Sequence, residues 1–417
     1  MQRILVITIL IIAGEVIFAL PFHIARFFRP TFLEVFQINN TQLGDIFASY
    51  GIVAMLSYFP GGLLADRFSA RFLLSVSLIG TSVGGFYLYT IPPVSGMYVV
   101  FAIWGATTIL LFWSAMIKAT REWGGSMNQG LAFGLLDGGR GLVASLMASL
   151  AVIILSYYVQ DRVFAPQQQR EGLQSVIAYY SIITLLVALA VWFFLKQHSQ
   201  QQKQDLKVQE DNPVSIFAVL RNPKIWWQAG IVITAYCGYK GLDNYGLYAT
   251  QVLDMGEVES AAFVTYTSYS RPIVAVLAGF IADRWRPSSV ILFLFLLCTA
   301  CYLTLYLFSP STMSLALIIS NLVFTIAAVY ALRGIYFALL EEGSIKSNAT
   351  GTATGLISLV GFTPDVFFAP LTGRILDANP GLVGFQHYFL FLSLCAFLGL
   401  ISVWCFTRSL KKTNFST

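Results

Sequence analysis

Residues 62–67 read GLLADR, and residues 279–284 read GFIADR. The two copies stand about half the chain apart, and each follows an apolar stretch of helix length. Each opens with a glycine and ends with a carboxylate beside an arginine, which is the composition of a tight, charged loop at a helix end. A repeat at this distance indicates that the chain consists of two structurally related halves.

The composition points to a membrane protein. Of the 417 residues, 57% are hydrophobic and 11% are charged, and the mean hydropathy is +0.72. A soluble domain carries about 25% charged residues, so most side chains here face something other than water. Residues 176–195 and 291–308 contain no charge, and each has close to the ~20 residues that cross a hydrocarbon core. The fold class predicted is an all-α polytopic membrane protein.

Twelve transmembrane helices are predicted, and none has the alternating pattern of a barrel strand. They cover roughly residues 4–25, 42–64, 72–91, 97–119, 130–157, 175–195, 225–250, 260–281, 289–308, 313–339, 350–373 and 387–407. The first is interpreted as a retained helix, because no small-residue cleavage site ends it. The polar residues 196–224 divide the chain into an N-terminal six-helix bundle (1–195), a linker and a C-terminal six-helix bundle (225–417).

The distribution of positive charge predicts an orientation. Most of the 25 lysines and arginines fall on the side that holds both termini and the linker. The positive-inside rule assigns that side to the cytoplasm of a bacterial inner membrane. The net charge of +5 has the same origin, and no basic, aromatic surface indicates nucleic acid.

The first copy of the repeat resembles the signature loop of the major facilitator superfamily, G-x-L-A-D-R-x-G-R-[KR]. Gly62, Leu64, Ala65, Asp66 and Arg67 match that pattern, Arg71 continues it, and Ser69 replaces the second glycine. The second copy is a reduced version. The resemblance covers essentially the whole chain. A second resemblance, to the organophosphate and nitrate permeases of the same family, rests on residues 137–141, 269–272 and 333–337.

The resemblance implies a gating loop at each copy. In this family the loop carboxylate faces the N-terminus of a helix in the opposite half and favours the outward-open state. The positive end of a helix dipole attracts a carboxylate, and neighbouring arginines can brace it. The residues assigned to this role are Gly62, Asp66, Arg67, Arg71, Gly279, Asp283 and Arg284. A solvated turn that carries positive-inside charges is the alternative.

Two glycine pairs are predicted to allow close helix contact, Gly134 with Gly138 and Gly351 with Gly355, because each has the G-x-x-x-G spacing. The five cysteines all lie in apolar segments. Cys298 and Cys301 have no further cysteine or histidine nearby in sequence, so they are interpreted as packing residues and not as a metal or redox site.

Charges inside the membrane are expensive and mark function. Asp137 with Arg140 and Lys240 with Asp243 stand three residues apart, so each pair shares a helix face and can neutralise itself. Arg271 and Arg333 have no acid within four positions. They are therefore expected to meet a partner across the cavity or in a ligand.

The hypothesis is a cavity whose cations bind an organic anion, since arginine pairs bidentately with carboxylate, sulfonate or phosphate. The substrate-binding candidates are Arg140, Lys240, Arg271, Arg333, Tyr336 and Trp113. The acids that can carry a coupling proton are Glu15, Asp137, Asp243 and Asp365. The predicted function is secondary transport by proton symport or antiport, in a monomer held by the lipid bilayer.

The alternatives to this function are a drug exporter, a non-transporting sensor and a membrane enzyme. An exporter of amphipathic drugs usually has an apolar cavity, which four intramembrane cations argue against. A non-transporting sensor needs an output module, and a membrane enzyme needs a clustered catalytic set. The chain contains no G-x-x-x-x-G-K-[ST] and no H-E-x-x-H, so ATP hydrolysis, a metal and other cofactors are not predicted.

Overall fold

The computed structural model describes residues 2–124, 129–158, 166–195, 219–345 and 347–414. Within these ranges the chain is helical and contains no strand, which confirms the predicted all-α class. Residues 196–218, most of the predicted linker, lie outside the described ranges.

In the first half of the chain, the described residues form nine helices. They are α1 (Gln2–Phe18), α2 (Ile24–Phe27), α3 (Arg29–Phe36), α4 (Asn40–Arg67), α5 (Ala70–Tyr89), α6 (Val94–Gly105), α7 (Ser114–Gly124), α8 (Gln129–Tyr158) and α9 (Pro166–Phe194). Two wider π-helical segments interrupt the regular spiral. Ala19–His23 joins α1 to α2, and Ala106–Trp113 joins α6 to α7.

In the second half, the described residues form ten helices. They are α10 (Pro223–Gly241), α11 (Tyr245–Gln251), α12 (Glu257–Ser268), α13 (Ser270–Arg284), α14 (Pro287–Leu307), α15 (Leu315–Ile335), α16 (Leu339–Glu342), α17 (Ser347–Gly361), α18 (Pro364–Ala378) and α19 (Leu382–Asn414). Short 3₁₀ turns at Leu242–Asn244 and Tyr336–Ala338 join α10 to α11 and α15 to α16.

Nine helical stretches in the described ranges are long and apolar enough to cross a membrane, or ten if the bent helix α4 counts as one span. Helix α4 turns by 56° at its proline-containing break, as expected where Pro60 removes a backbone donor. The helices found at the predicted seventh and eighth spans are not among these long and apolar stretches. They carry the charged residues Lys240, Asp243 and Arg271 and are interrupted, at Leu242–Asn244 and at Tyr269.

Backbone contacts divide the chain into two compact units. The first comprises Met1–Gln197, Leu242–Pro272 and Asp365–Gly384. The second comprises His198–Gly241, Ile273–Pro364 and Phe385–Thr417. Each unit has a buried aromatic core, which includes Trp104 in the first and Tyr302 in the second. The division into halves 1–195 and 225–417 stays a prediction.

The N-terminus of α4 in the first unit is capped twice. Asn39 and Gln42 form a capping box. Asp377 of α18 accepts hydrogen bonds from the backbone N–H of Asn40 at 3.2 Å and of Thr41 at 2.6 Å. Its negative charge satisfies donors that the helix leaves open and opposes the positive end of the helix dipole. This contact fixes the beginning of α4 against α18.

Glycines let α4 and α18 approach backbone to backbone. A Cβ atom on Gly44 would lie 2.4 Å from the carbonyl oxygen of Ala369, and one on Gly51 would lie 2.3 Å from that of Asp365. A Cβ on Gly373 of α18 would lie 2.3 Å from the carbonyl oxygen of Asn40. Real Cβ atoms do not come so close, so a larger residue at any of these positions must separate the two helices.

The close contacts predicted for Gly134, Gly138 and Gly355 are wrong for the described residues. A Cβ at Gly134, Gly138 or Gly355 would meet no described atom within 4 Å, and the surroundings of Gly351 lie outside the described part. The G-x-x-x-G spacing gave no information on which glycines face a neighbouring backbone. The close contacts occur instead at Gly44, Gly51 and Gly373.

Replacing Gly51 with alanine should destabilise the protein, because the new methyl group collides with the Asp365 carbonyl. Overpacking of this kind costs about 1–3 kcal/mol. Gly62, in the same helix, is a matched control, since a Cβ there meets no described atom within 4 Å. Thermal unfolding of G51A and G62A in one detergent tests this, and equal midpoints would contradict the packing described.

Candidate functional site

A buried carboxylate lies at the centre of the first unit. Glu15 of α1 is 3% exposed. Its Oε2 atom accepts a hydrogen bond from Nε of Arg140 on α8 at 3.1 Å, and its Oε1 atom lies 3.7 Å from Nη1 of Arg271 on α13. Both arginines are themselves buried. A buried charge is tolerated only when it is paired, so these contacts hold three helices at one point.

His23 completes this group through the π-helical segment. Its Nε2 atom lies 3.2 Å from Oε1 of Glu15. Eight residues of straight α-helix would place the two side chains about 80° apart around the axis. The wider turn of Ala19–His23 lowers the rotation per residue and brings His23 back over Glu15. Glu15, His23, Arg140 and Arg271 are called the Glu15 cluster below.

Two glycines provide room for the arginine side chains. A Cβ on Gly14 would lie 3.3 Å from Cδ of Arg140 and 2.8 Å from Sδ of Met116. A Cβ on Gly141 would lie 3.3 Å from Cδ of Arg271. Each guanidinium therefore reaches Glu15 across a helix surface that carries no side chain at that point.

Hydroxyl groups fasten α8 to the helix pair that carries Arg271. Ser145 and Ser268 share a hydrogen bond of 2.7 Å, and Ser149 lies 2.9 Å from the Tyr269 hydroxyl. Ser268 and Tyr269 stand just before Arg271 in sequence, so these bonds fix the start of its helix beside α8.

Aromatic rings cover one side of Arg140. Its Cζ atom lies 5.4 Å from the ring centroid of Phe18 and 5.9 Å from that of Trp113. Cations are attracted to aromatic faces at such distances. Trp113, which the sequence placed among the substrate-binding candidates, therefore lies beside Arg140.

Asp137 and Arg140 each contact a charge on another helix, and their predicted pairing within α8 stays a prediction. Nε of Arg140 bonds to Glu15. Asp137 Oδ1 lies 3.7 Å from Nη2 of Arg271, and the Asp137 side chain is 55% exposed. Arg271 thus meets acids from other helices, as expected from the lack of one on its own.

Arg26 and Asp243 form a second buried ion pair in the first unit, through Nε of Arg26 and Oδ1 of Asp243. Both residues are less than 10% exposed. The sequence interpretation paired Asp243 with Lys240, three residues away, and missed Arg26. The one available signal was the position of Arg26 one turn after His23, near the end of a predicted span.

Glu257 anchors α12 to two other parts of the first unit. Its carboxylate accepts hydrogen bonds from the Thr31 hydroxyl and from Nε2 of Gln169, the latter at 2.6 Å. Glu257 precedes the predicted eighth span. Burial raises the pKa of its carboxyl, the negative charge of Glu34 raises it further, and the two hydrogen bonds oppose that change.

The second unit contains the other substrate-binding candidates. Cζ of Arg333 lies 3.9 Å from the ring centroid of Tyr239. Lys240 is 4% exposed. Tyr336 is also buried, and its backbone oxygen accepts a hydrogen bond of 3.0 Å from Nε2 of Gln228. Within the second unit, Arg333 and Tyr239 thus form a contact between a cation and an aromatic ring.

The predicted gating residues lie at the surface. Asp66, Arg67, Asp283 and Arg284 are exposed. Arg71 is partly buried, with its Cζ atom 4.4 Å from the ring centroid of Trp192. Gly62 and Gly279 have room for a Cβ. Their role in gating stays a prediction.

The fourth proton-coupling candidate stands at a helix start. Asp365, in the first turn of α18, is partly buried. Its carbonyl oxygen is the atom that Gly51 approaches, so the packing of α4 depends on its backbone. Its role in carrying a proton stays a prediction.

Apolar helices of membrane-spanning length and a buried cluster of opposite charges are typical of a polytopic membrane carrier. Comparison with known proteins agrees with this class. The sequence model of the Major Facilitator Superfamily matches residues 5–369. The chain belongs to the major facilitator superfamily, and it is a secondary transporter and not an enzyme.

Relatives are similar over almost the full length. The inner membrane protein YihN of Escherichia coli K12 is 27% identical over 94% of this chain and 93% of its own. The inner membrane protein YqcE of the same strain is also 27% identical, over 97% and 94%. The nitrite extrusion protein of Bacillus subtilis 168 is 23% identical over 80% and 78%.

A solved structure supports the fold. It is a bacterial homologue of the human lysosomal transporter Spinster, in an inward-facing and unoccupied conformation. The TM-score is 0.78 at 14% identity, over 99% of this chain and 98% of that chain. This likeness concerns the fold alone.

Removing one member of the buried Arg26–Asp243 pair should be severely destabilising. Asp243→Asn leaves a guanidinium buried without its counter-charge, a loss of about 3–5 kcal/mol in comparable cases. Asp45→Asn is the control, because Asp45 pairs with Arg374 at 2.8 Å on an exposed surface. Thermal unfolding should show a large drop for the first variant and little change for the second.

The double variant R26Q/D243N refines this test, since it removes both charges. It should recover part of the lost stability. If D243N and D45N unfold at the same temperature, the buried pair does not hold the first unit together.

Proposed function

We propose that the chain carries a small organic anion, and that the Glu15 cluster is part of its binding site. The observation that carries the proposal is the number of charges around Glu15. Two buried arginines face one buried carboxylate, so one positive charge exceeds the buried negative charge. Asp137 offsets this excess positive charge only weakly, because its carboxylate is more than half exposed and is therefore screened.

The geometry of Arg271 fits an anion. Its Nη2 atom is buried and has no hydrogen-bond partner among the described residues. A buried donor without a partner is unfavourable, and an arginine fork binds two oxygens of a carboxylate, sulfonate or phosphate. A substrate oxygen at Nη2 would satisfy this donor, and the Phe18 and Trp113 rings would shield the apolar part of the same molecule.

Glu15 and His23 provide a route for a coupling proton. A substrate anion that takes the guanidinium groups of Arg140 and Arg271 removes the counter-charges of Glu15. A proton then neutralises the carboxylate, which would otherwise be buried and unpaired. His23 lies against Oε1 of Glu15 and can pass that proton, since a neutral imidazole has one nitrogen that donates and one that accepts. Asp137, Asp243 and Asp365 are the other candidates for this step.

Two further facts support an anionic substrate. The second unit contains two further buried or aromatic-stacked cations, Lys240 and Arg333, which are the type of side chain that binds an anion. The Bacillus subtilis relative is named for nitrite, a small anion. We place both termini and the linker in the cytoplasm, from the distribution of lysine and arginine.

A ligand panel on purified protein tests the anion. Carboxylates, sulfonates, phosphate esters and neutral sugars are added to the wild type and to the Arg140→Gln and Arg271→Gln variants. An anion at a hundredfold excess over its Kd should stabilise the wild type by about 2.7 kcal/mol. Each arginine variant should bind it about 10–100-fold more weakly, because a charged hydrogen bond is lost.

Arg374→Gln is the matched control, since it removes an arginine from an exposed ion pair and should bind the anion as the wild type does. In proteoliposomes, addition of the same anion should also move protons, as a trapped pH dye reports. If only hydrophobic or neutral compounds stabilise all four proteins equally, the anion is excluded and the drug exporter is favoured.

A further inference from the structure

A cavity of about 580 Å³ lies in the first unit, apart from the Glu15 cluster, where α4 ends, α5 begins and α9 ends. Its walls combine two arginines with three aromatic side chains and one hydroxyl. The lining residues are Arg67, Phe68, Ser69, Arg71, Phe72 and Trp192. This composition matches an anionic group with apolar parts.

The charges of the cavity are available to a ligand. Among the residues that the structure describes, Arg67 and Arg71 have no carboxylate partner. Arg71 is held in place by Trp192, with 4.4 Å between its Cζ atom and the ring centroid. Stacking of this kind leaves the N–H groups at the edge of the guanidinium free to bind oxygen. Two positive charges therefore border a cavity with no fixed negative charge among the described residues.

The N-terminus of α5 faces the same cavity. Ser69 caps this helix of 20 residues, with its hydroxyl oxygen accepting from the backbone N–H of Phe72 at 3.3 Å. The remaining N–H groups of the first turn and the helix dipole favour an anion there. They add to the two arginines and would be insufficient without them.

The aromatic residues place the cavity at a membrane surface. Phe68, Phe72 and Trp192 are 46%, 42% and 40% exposed, and tryptophan is enriched where hydrocarbon meets the polar headgroups. From the cavity, exposed apolar side chains continue along one face of α5 and one face of α9. They are Val76, Ile79, Val83 and Phe86 on α5, and Phe193, Leu189, Leu186 and Ile182 on α9.

We propose that this cavity binds the headgroup of an anionic phospholipid, with its phosphate on Arg67 and Arg71 and its acyl chains along α5 and α9. Basic cavities between membrane helices bind such headgroups. A soluble phosphate ester would satisfy the arginines but would leave the apolar faces of both helices unused. The proposal is independent of the transported substrate.

The test measures binding of three probes to purified protein in neutral detergent, by native mass spectrometry. They are phosphatidylglycerol, phosphatidylcholine with the same acyl chains, and glycerol 3-phosphate. Phosphatidylglycerol should bind the wild type more tightly than either of the others. Each arginine near a membrane surface contributes about fivefold in affinity, so R67Q/R71Q should lose about 25-fold.

Arg408→Gln is the matched control. Arg408 stacks on exposed Trp404 with 3.7 Å from Cζ to the ring centroid, but it does not line this cavity. It should bind phosphatidylglycerol as the wild type does. If R67Q/R71Q does not fold, Arg71→Lys replaces it and should bind more weakly than wild type, since lysine keeps the charge but loses the fork.

Equal binding of phosphatidylglycerol by the cavity variants and by R408Q would overturn the proposal. The proposal would also be overturned if the wild type bound phosphatidylcholine, the zwitterionic lipid, as tightly as phosphatidylglycerol. If glycerol 3-phosphate binds as tightly as phosphatidylglycerol, the cavity is a site for soluble phosphate esters, and the assignment to a lipid is wrong.

Discussion

Compensation of the buried negative charge on Glu15 is the interaction on which the first unit depends. Glu15 is 3% exposed, so its charge is stable only while Arg140 and Arg271 stay beside it. These partners come from α8 and α13, far apart in the sequence. The glycines beside both arginine stems, the π-helical turn that carries His23, and the serine bonds between α8 and α12 all serve to bring the charges together.

The proposed function uses the same arrangement for a change of state. The cluster contains more buried positive than negative charge, and in this proposal an anion and Glu15 exchange as partners of the arginines. Elsewhere in the first unit, packing is held by contacts that do not involve this exchange. Gly44, Gly51 and Gly373 bring α4 and α18 together, and Asp377 caps α4. In the proposed function, the charge pairing around Glu15 changes, whereas the glycine contacts and the Asp377 cap between α4 and α18 stay in place.

Hydropathy and the repeated G-x-x-A-D-R sequence were enough to predict the helical class and the family, because both signals are local. The charged residues of the spans were also found from the sequence, and Arg271 was expected to meet acids on other helices. Their actual partners were not predicted. Arg140 and Asp243 each pair with α1 or its extension, across long distances in the chain, and the π-helical turn moves His23 onto Glu15 in a way that a regular helix would not. Close glycine contacts were predicted at the wrong positions, since spacing alone does not say which glycine faces a backbone.

Competition between Glu15 and the substrate for the two arginines is the central claim, and the affinity of Glu15→Gln for an anion tests it most directly. Titration calorimetry of the purified wild type and E15Q, with the anion that best stabilises the wild type, gives the two Kd values at one pH. Glutamine keeps the shape of the side chain and removes its charge. The account predicts tighter binding by E15Q, because the arginines no longer have a charged partner to give up. Equal or weaker binding would show that Glu15 does not compete with the substrate, and that the cluster only stabilises the fold.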